Sequence, residues 1–496
     1  MNFTEQELLE KTSRELYEIA KVLHVRNYTR LKKPELIEEL LKLGGKDAND
    51  QEGSAMSSMR PYDNHDKPEV VTEHLDIEQE RVPAHVVSGA VISSSSERRG
   101  GEVPRTGGEV PRTGGEVPRT GGEEFTASGL CEILAEGYGF MRSNYFPSSS
   151  DVYVSPPMIR RFGLRTGDWL EGTVHLPRGD KEKYSSLMRI RSINGIGIEG
   201  YVVARPQFES LTPIFPNKHL KLETPNCSMA VRLLELVAPI GKGQRGLIVS
   251  PPKAGKTTIL KAIAQSIEYN HPEVTLMVLL IDERPEEVTD MKQSIRSEVI
   301  SSTFDQPPEN HIRVVELALE RAKRLVEVKK DVVILMDGIT RLTRAYNLIS
   351  SSSGKTLSGG LDPTAIRGPK RVIGAARNMV EGGSLTIIAT ALIETGSRLD
   401  QVIYEEFKGT GNMELVLDRE LAERRVFPAI DVRKSGTRRE ELLYTPEEYR
   451  KIWALRQFIG NEDPTESLEK LIAMLQRTAN NREFLANIVA QDSAGR

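Results

Sequence analysis

Between Ser250 and Thr257 the chain reads Ser-Pro-Pro-Lys-Ala-Gly-Lys-Thr, a loop built to hold phosphate. An apolar run at 246–249 precedes it, and a helical run opens near Ile259. Such a loop leaves backbone N–H groups aimed at one spot, where a helix N-terminus adds partial positive charge. A triphosphate suits that spot: Lys256 reaches its β and γ phosphates and the Thr257 hydroxyl holds Mg2+. Ala254, Gly255 and Thr258 complete the candidate nucleotide contacts. The usual pattern opens on Gly, whereas Ser250 stands first here.

Carboxylates complete the chemistry. The apolar run 332–336 ends in Asp337, the place for an acid at the C-terminal edge of a parallel sheet, able to hold Mg2+ through water. A second run ends in Ile281-Asp-Glu-Arg-Pro-Glu-Glu287. Glu283 is the acid chosen to polarise the water that attacks the γ-phosphate, with Asp282 the neighbouring candidate and Glu286 and Glu287 solvated or capping acids. Beyond the last central strand lie Arg424, Arg425, Arg438 and Arg439. One or two could stabilise charge on a neighbouring subunit's γ-phosphate, which requires an oligomer. Surface pairing with Glu423, Glu440 and Glu441 is the alternative.

Other residues suit a polynucleotide. Tyr138, Phe140 and Arg142 alternate, so a strand places them on one face. If that face is exposed, the rings stack on unpaired bases while the arginine takes phosphate; if not, Phe140 packs inside. Asp151, Tyr153, Glu182, Lys183 and Tyr184 line the rim of the same surface, able to stack on pyrimidines or accept from them. The Ser/Gly-rich loop 350–360 with Lys355, and the stretches around Arg398 and Lys408, can grip a backbone without reading bases.

These groups need three kinds of element to position them. Residues 1–45 carry helical periodicity and form a small helical bundle. Residues 46–125 are rich in Ser, Gly, Pro and acids, with Gly-Glu-Val-Pro-Arg-Thr-Gly three times in tandem at 101–121. Pro and two Gly per repeat forbid a helical seam, so this reads as a disordered linker. Short alternating runs at 129–135, 139–142, 152–154, 169–175 and 187–193 predict an oligonucleotide-binding type β-barrel over 126–195, followed by a connector, 196–228. From 229 to 440, apolar strands at 246–249, 275–281, 332–336 and 385–390 alternate with helices at 259–269, 312–328 and 369–379. That pattern predicts a RecA-like α/β domain with a parallel sheet. A helical tail, 441–496, has Trp453, Leu455, Leu468, Leu471 and Leu475 as its core.

Composition bounds the partners. The net charge of −4 excludes a global polycation, and within 126–195 nine Lys/Arg against seven Asp/Glu give only a modest local excess. Two cysteines without paired spacing exclude a disulfide framework and suit a reducing cytosol. With no long apolar run and no leader-like N-terminus, a soluble cytoplasmic protein with no membrane contact is expected.

Taken together, the motifs resemble the Rho family of bacterial transcription termination factors, hexameric RNA-dependent ATPases and helicases. The resemblance covers about 1–45 and 126–490. It is carried by the Tyr138 to Arg142 strand, Arg160-Arg-Phe-Gly-Leu-Arg-Thr-Gly-Asp168, Pro239-Ile-Gly-Lys-Gly-Gln-Arg-Gly246 and the phosphate loop, then by Asp337 to Asn347, Tyr404 to Asn412 and Arg425-Val-Phe-Pro-Ala-Ile-Asp431. It implies that Lys253 assists Lys256, that Arg438 is the finger given to a neighbour's γ-phosphate with Arg425 supporting it, and that Phe427 packs on adenine. It further implies a primary site for cytidine-rich single-stranded RNA on the barrel, a secondary RNA contact at Lys355, and an RNA polymerase elongation complex as the target. Ser250 stands where that family has Ala, Arg398 where a pore-loop Lys is usual, and Tyr138 where it has Phe; the triple repeat has no counterpart in compact members. Two other classes compete: a rotary ATP synthase-like subunit working on protein partners, and a passive RNA binder with a regulatory nucleotide site.

Overall fold

The computed structural model describes residues 33, 37, 124–177, 182–201, 205–350, 354, 356–460 and 464–488. Of the expected N-terminal bundle only Lys33 and Ile37 fall among them, both helical; the linker up to 123 and Lys355 lie outside the described residues.

The barrel runs through β1 (Glu124–Ile133), β2 (Gly139–Arg142), β3 (Val152–Val154), helix α1 (Pro156–Phe162), β4 (Trp169–His175), β5 (Ser185–Ile193) and the short β6 (Ile196–Gly197). Its first strand thus starts inside the stretch assigned to the linker. The sheet order is β3-β2-β1-β4-β5-β6, and a parallel pairing of β3 with β5 closes it. Alternation sets its two faces. Cys131, Met141, Val152, Val154, Leu170, Val174, Leu187 and Ile193 point inward and form one cluster, leaving Phe140 and Tyr153, paired across β2 and β3, partly exposed.

After β7 (Pro213–Ile214) and α2 (Met229–Val237), the second domain alternates β8 (Arg245–Ser250), α3 (Lys256–Asn270), β9 (Thr275–Glu283), α4 (Pro285–Ser294), β10 (Glu298–Thr303), α5 (Pro308–Glu327), β11 (Asp331–Asp337), α6 (Ile339–Ile349) and α7 (Arg367–Gly374). It continues with β12 (Arg377–Met379), β13 (Ser384–Leu392), α8 (Arg398–Lys408), β14 (Met413–Val416), α9 (Arg419–Glu423) and β15 (Gly436–Thr437). The sheet order is β10-β9-β11-β13-β8-β14-β15, parallel from β10 to β14. Near-continuous burial along β11 and β13 is what helices on both faces require. Because β8, β9 and β11 lie close in this order, their C-terminal ends bring Ser250, Glu283 and Asp337 to one edge of the sheet.

Two expectations need correction. The helix expected over 369–379 stops at Gly374, and Arg377–Met379 instead pairs antiparallel with β13, capturing backbone groups the helix would have used internally. The tail is helical, α10 (Pro446–Gly460), α11 (Pro464–Gln476) and α12 (Asn481–Ala486). Leu455, Leu468, Leu471 and Leu475 are buried in it, but Trp453 is 49% exposed: it lies on the outer face of α10, two residues before Leu455.

The barrel is docked on α5. Gly167, at φ +94°, approaches so closely that a Cβ would stand 2.4 Å from the Glu320 carbonyl carbon. Arg321 donates to Asn194 Oδ1 at 2.6 Å, and Tyr145 donates to Glu298 at 3.1 Å.

Candidate functional site

The phosphate loop leaves β8 and enters α3 at Lys256, with Gly255 at φ +95° capping the helix. Among the described residues no acceptor meets the backbone N–H of Lys253, Ala254 or Gly255, so these donors stay available. Ala254 is buried, while Lys253 and Thr258 are exposed. The loop borders a cleft of about 650 Å³ lined by Lys253, Lys256, Thr257, Glu283, Glu287 and Arg341 among others.

Inside it, two acids face two cations. Lys256 Nζ donates to both Asp337 oxygens at 2.8 Å and to Glu283 Oε2 at 3.3 Å. Arg341 donates to Glu283 Oε2, to Asp337 Oδ1 at 3.2 Å, and to the Asp282 carbonyl at 2.8 Å. Thr390 on β13 donates to Asp337 Oδ1 at 2.8 Å. Burial pushes the Asp337 carboxyl up, but Lys256, Arg341 and these hydrogen bonds outweigh it and hold it below the usual range. For Glu287 burial and then the charge of Glu283 win over Lys256, and its carboxyl is raised. Thr257 Oγ1 lies 3.4 Å from both Glu287 Oε2 and Asp337 Oδ2.

The sequence reading missed Arg341 and Thr390. Arg341 had a signal: it follows Asp337 by one helical turn, which points it back at the sheet edge. Gly338 between them sits at φ +107°, and a Cβ there would press on the Ile281 carbonyl and Arg341 Nε, both at 2.9 Å. Of the four acids weighed, Glu283 is buried against both cations, Asp282 and Glu287 line the cleft half-buried, and Glu286 is exposed.

Arg425, Phe427 and Arg438 are exposed and do not line this cleft. Arg439 makes one of the surface pairs weighed above, with Glu441, while Arg424 pairs with Glu420 instead and Glu423 and Glu440 go to Arg419 and Arg456; Arg425 and Arg438 have no side-chain hydrogen bond or ion pair among the described residues. Arg438 instead borders a second, smaller cleft with Lys408, Glu414 and Lys434. The exposed Arg398 opens α8, and Gly359 packs on its backbone, so the two loops singled out in the sequence meet.

On the barrel, four rings form one patch. Phe140 lies 5.8 Å from Tyr138, 6.3 Å from Tyr153 and 5.0 Å from Tyr184 between ring centroids, mostly edge to face. Lys183 Nζ sits 5.3 Å from the Tyr184 ring, and Glu182 is exposed beside it. Phe140 therefore does not pack inside. Arg142 and Asp151 depart from the sequence reading: both are buried rather than free at a rim, and Arg142 binds Asp151 Oδ2 and Glu132 Oε2. A cation between two acids is not a free phosphate clamp. Asp151 Oδ1 is buried with no hydrogen-bond partner among the described residues.

Family models match three segments: the Rho termination factor N-terminal domain at 7–44, the Rho termination factor RNA-binding domain at 127–199, and the ATP synthase alpha/beta family nucleotide-binding domain at 230–437. Transcription termination factor Rho of Aquifex aeolicus is 58% identical over 363 residues, 72% of this chain and 83% of that protein. The chain belongs to the Rho transcription termination factor family. Rho of Bacillus subtilis is 57% identical over 358 residues, 72% of this chain and 83% of its own length. Among solved structures, an ATPase of a type III secretion system from pathogenic bacteria matches at 22% identity and TM-score 0.46, over 56% of this chain and 87% of that one. This Rho family member thus joins an RNA-binding domain to an ATPase-type nucleotide-binding domain, and its function is transcription termination. Among the described residues no helix is long and apolar enough to cross a membrane.

Proposed function

We propose that this chain is an ATP-driven RNA translocase and helicase, working as a homohexamer in the cytoplasm to release nascent RNA from an RNA polymerase elongation complex. The observation that carries the reading is the pairing of a phosphate-loop cleft holding a buried acid with a separate, partly exposed aromatic face. ATP is the substrate. Its phosphates draw Lys256 from Asp337 and meet the free N–H groups of the loop, with Lys253 assisting. Glu283, buried beside the phosphate loop, orients the attacking water, and the hydrogen bond from Arg341 holds its carboxylate in place. Thr257 and Asp337 supply hard oxygen donors, and the described residues include no acid cluster that would cage an ion alone, which fits Mg2+ held largely by phosphates and water. When bound, Mg2+ neutralises charge on the β and γ phosphates.

Arg438, exposed and absent from its own cleft, serves a neighbour's γ-phosphate, with Arg425 in a supporting role, and Phe427 offers a half-exposed ring to adenine. Tyr138, Phe140, Tyr153 and Tyr184 stack on pyrimidine bases, and Asp151 Oδ1 accepts from an exocyclic amine, which favours cytidine. Arg398, with Lys355, contacts the strand inside the ring.

The test is ATP turnover with and without polycytidylate. Strong stimulation is expected, and Glu283→Gln should bind ATP and RNA normally while hydrolysis is lost. Turnover indifferent to RNA would favour a rotary relative working on protein, and undiminished turnover in Glu283→Gln would remove that acid from the reaction.

A further inference from the structure

We infer that Arg313 is a positioning residue that transmits occupancy of the aromatic RNA face to the nucleotide cleft, a reading that rests on the RNA-driven ATPase proposed above. Four charged side chains run in contact from barrel to ATPase domain. Asp151 Oδ2 binds Arg142 Nη1, Arg142 Nε binds Glu132 Oε2, and the same Glu132 oxygen accepts from Arg313 Nη2 at 2.5 Å. Asp151, Arg142 and Glu132 belong to or adjoin the RNA face, and Arg142 Cζ lies 5.3 Å from the Phe140 centroid. Arg313 belongs to α5 and touches neither RNA nor nucleotide groups.

The far end of the chain reaches the hydrolytic acid. Two residues before Arg313, His311 Nδ1 is hydrogen-bonded to Ser302 Oγ on β10 at 2.7 Å. Just past β10, the Phe304 backbone N–H donates to the Glu283 carbonyl at 3.2 Å, and Thr303 is in register with Glu283 across the β9–β10 pair. Phe304 itself lines the nucleotide cleft. The first turns of α5 are therefore tied both to the barrel and to the strand end that carries Glu283.

The shared acceptor makes this more than a staple. One Glu132 oxygen divides its charge between two arginines, so the hold of Arg142 on it governs what is left for Arg313. The buried, unpaired Asp151 Oδ1 is the acceptor that an incoming base donor would take up. A donor there competes with Arg142 for the carboxylate, Arg142 leans further on Glu132, and the Glu132–Arg313 pair weakens. Low exposure along Arg142 and Asp151 keeps these changes unscreened by water. The proof is a measured coupling rather than the contact path.

The test uses the full chain with oligocytidylate as probe. Arg313→Gln, which removes the pair that RNA loosens, should leave oligocytidylate affinity within about twofold of wild type but raise RNA-free ATP turnover toward the stimulated rate, so that the stimulation ratio falls by at least about fivefold, the low end of typical coupling between sites. Arg313→Lys, which keeps a donor and charge, should restore much of the stimulation. Unchanged stimulation in Arg313→Gln would overturn the relay. An equal fall in the RNA-free rate would also overturn it, since the pair would then merely brace α5. If the wild-type chain shows no stimulation, the functional reading itself fails before any variant is consulted.

Discussion

Arg341 and Lys256 divide one task between them. Each touches both Glu283 and Asp337, so two buried acids are shared between two cations, and of the two Lys256 is the one that opens the helix behind the phosphate loop. Removing Arg341 would leave uncompensated buried charge, whereas moving Lys256 onto phosphate exchanges one anion for another. On the barrel the corresponding residue is Phe140, partly exposed between three tyrosine rings. Phe140→Ala should weaken binding of a cytidine oligonucleotide by ~1–3 kcal/mol, read by titration, with an unchanged melting transition. A collapsed transition would show that the ring holds the barrel together instead. Residue identity was well legible where local spacing fixes geometry: the phosphate loop, Asp337 and the alternating ring strand. It was not legible where a residue's partner is distant in sequence. Arg142 looked like a free cation because Glu132 and Asp151 come to it only through the pairing of β1, β2 and β3.

At the level of elements, the parallel sheet was readable because its strands are apolar almost throughout, a pattern only double-sided cover explains. The short β12 was not readable, since three residues carry no period and their strand conformation comes from β13 beside them. Nor could sequence place α2 against the connector, where a pH-sensitive contact arises. The Glu235 carboxylate accepts from the backbone of Leu222 and Glu223, yet burial raises it from 4.5 to about 7. His219, 3.8 Å away, is lowered by burial from 6.5 to about 4. Between those values both are neutral, so their contact is not an ion pair. The folded state holds the Glu235 proton more tightly than the unfolded chain, so its contribution to stability falls as pH rises from about 4.5 to about 7. For His219 the unfolded chain binds the proton better, so its contribution rises over about 4 to 6.5, and the two slopes oppose. Glu235→Gln removes only the first. Urea melts should show the variant gaining on wild type as pH rises through that window, by at most about 3 kcal/mol. A difference independent of pH would mean that Glu235 titrates normally.

For the whole molecule, the barrel and ATPase domain meet on a single helix, where Gly167 of the barrel packs on Glu320 of α5 and Arg313 and Arg321 of α5 bond to Glu132 and Asn194 of the barrel. Arg438 is exposed and lies outside its own nucleotide cleft. Arg438→Ala should keep ATP affinity and the mass of the assembled particle while turnover drops by ~10³-fold or more, as loss of an arginine finger does. Near-normal turnover would place that residue outside the reaction. The most direct measurement is release of a labelled strand from an RNA–DNA hybrid carrying a cytidine-rich single-stranded RNA tail. The account predicts release that requires both ATP and the tail, and that Glu283→Gln abolishes. ATP hydrolysis stimulated by the tail with no strand released, or release that proceeds without ATP, would contradict it.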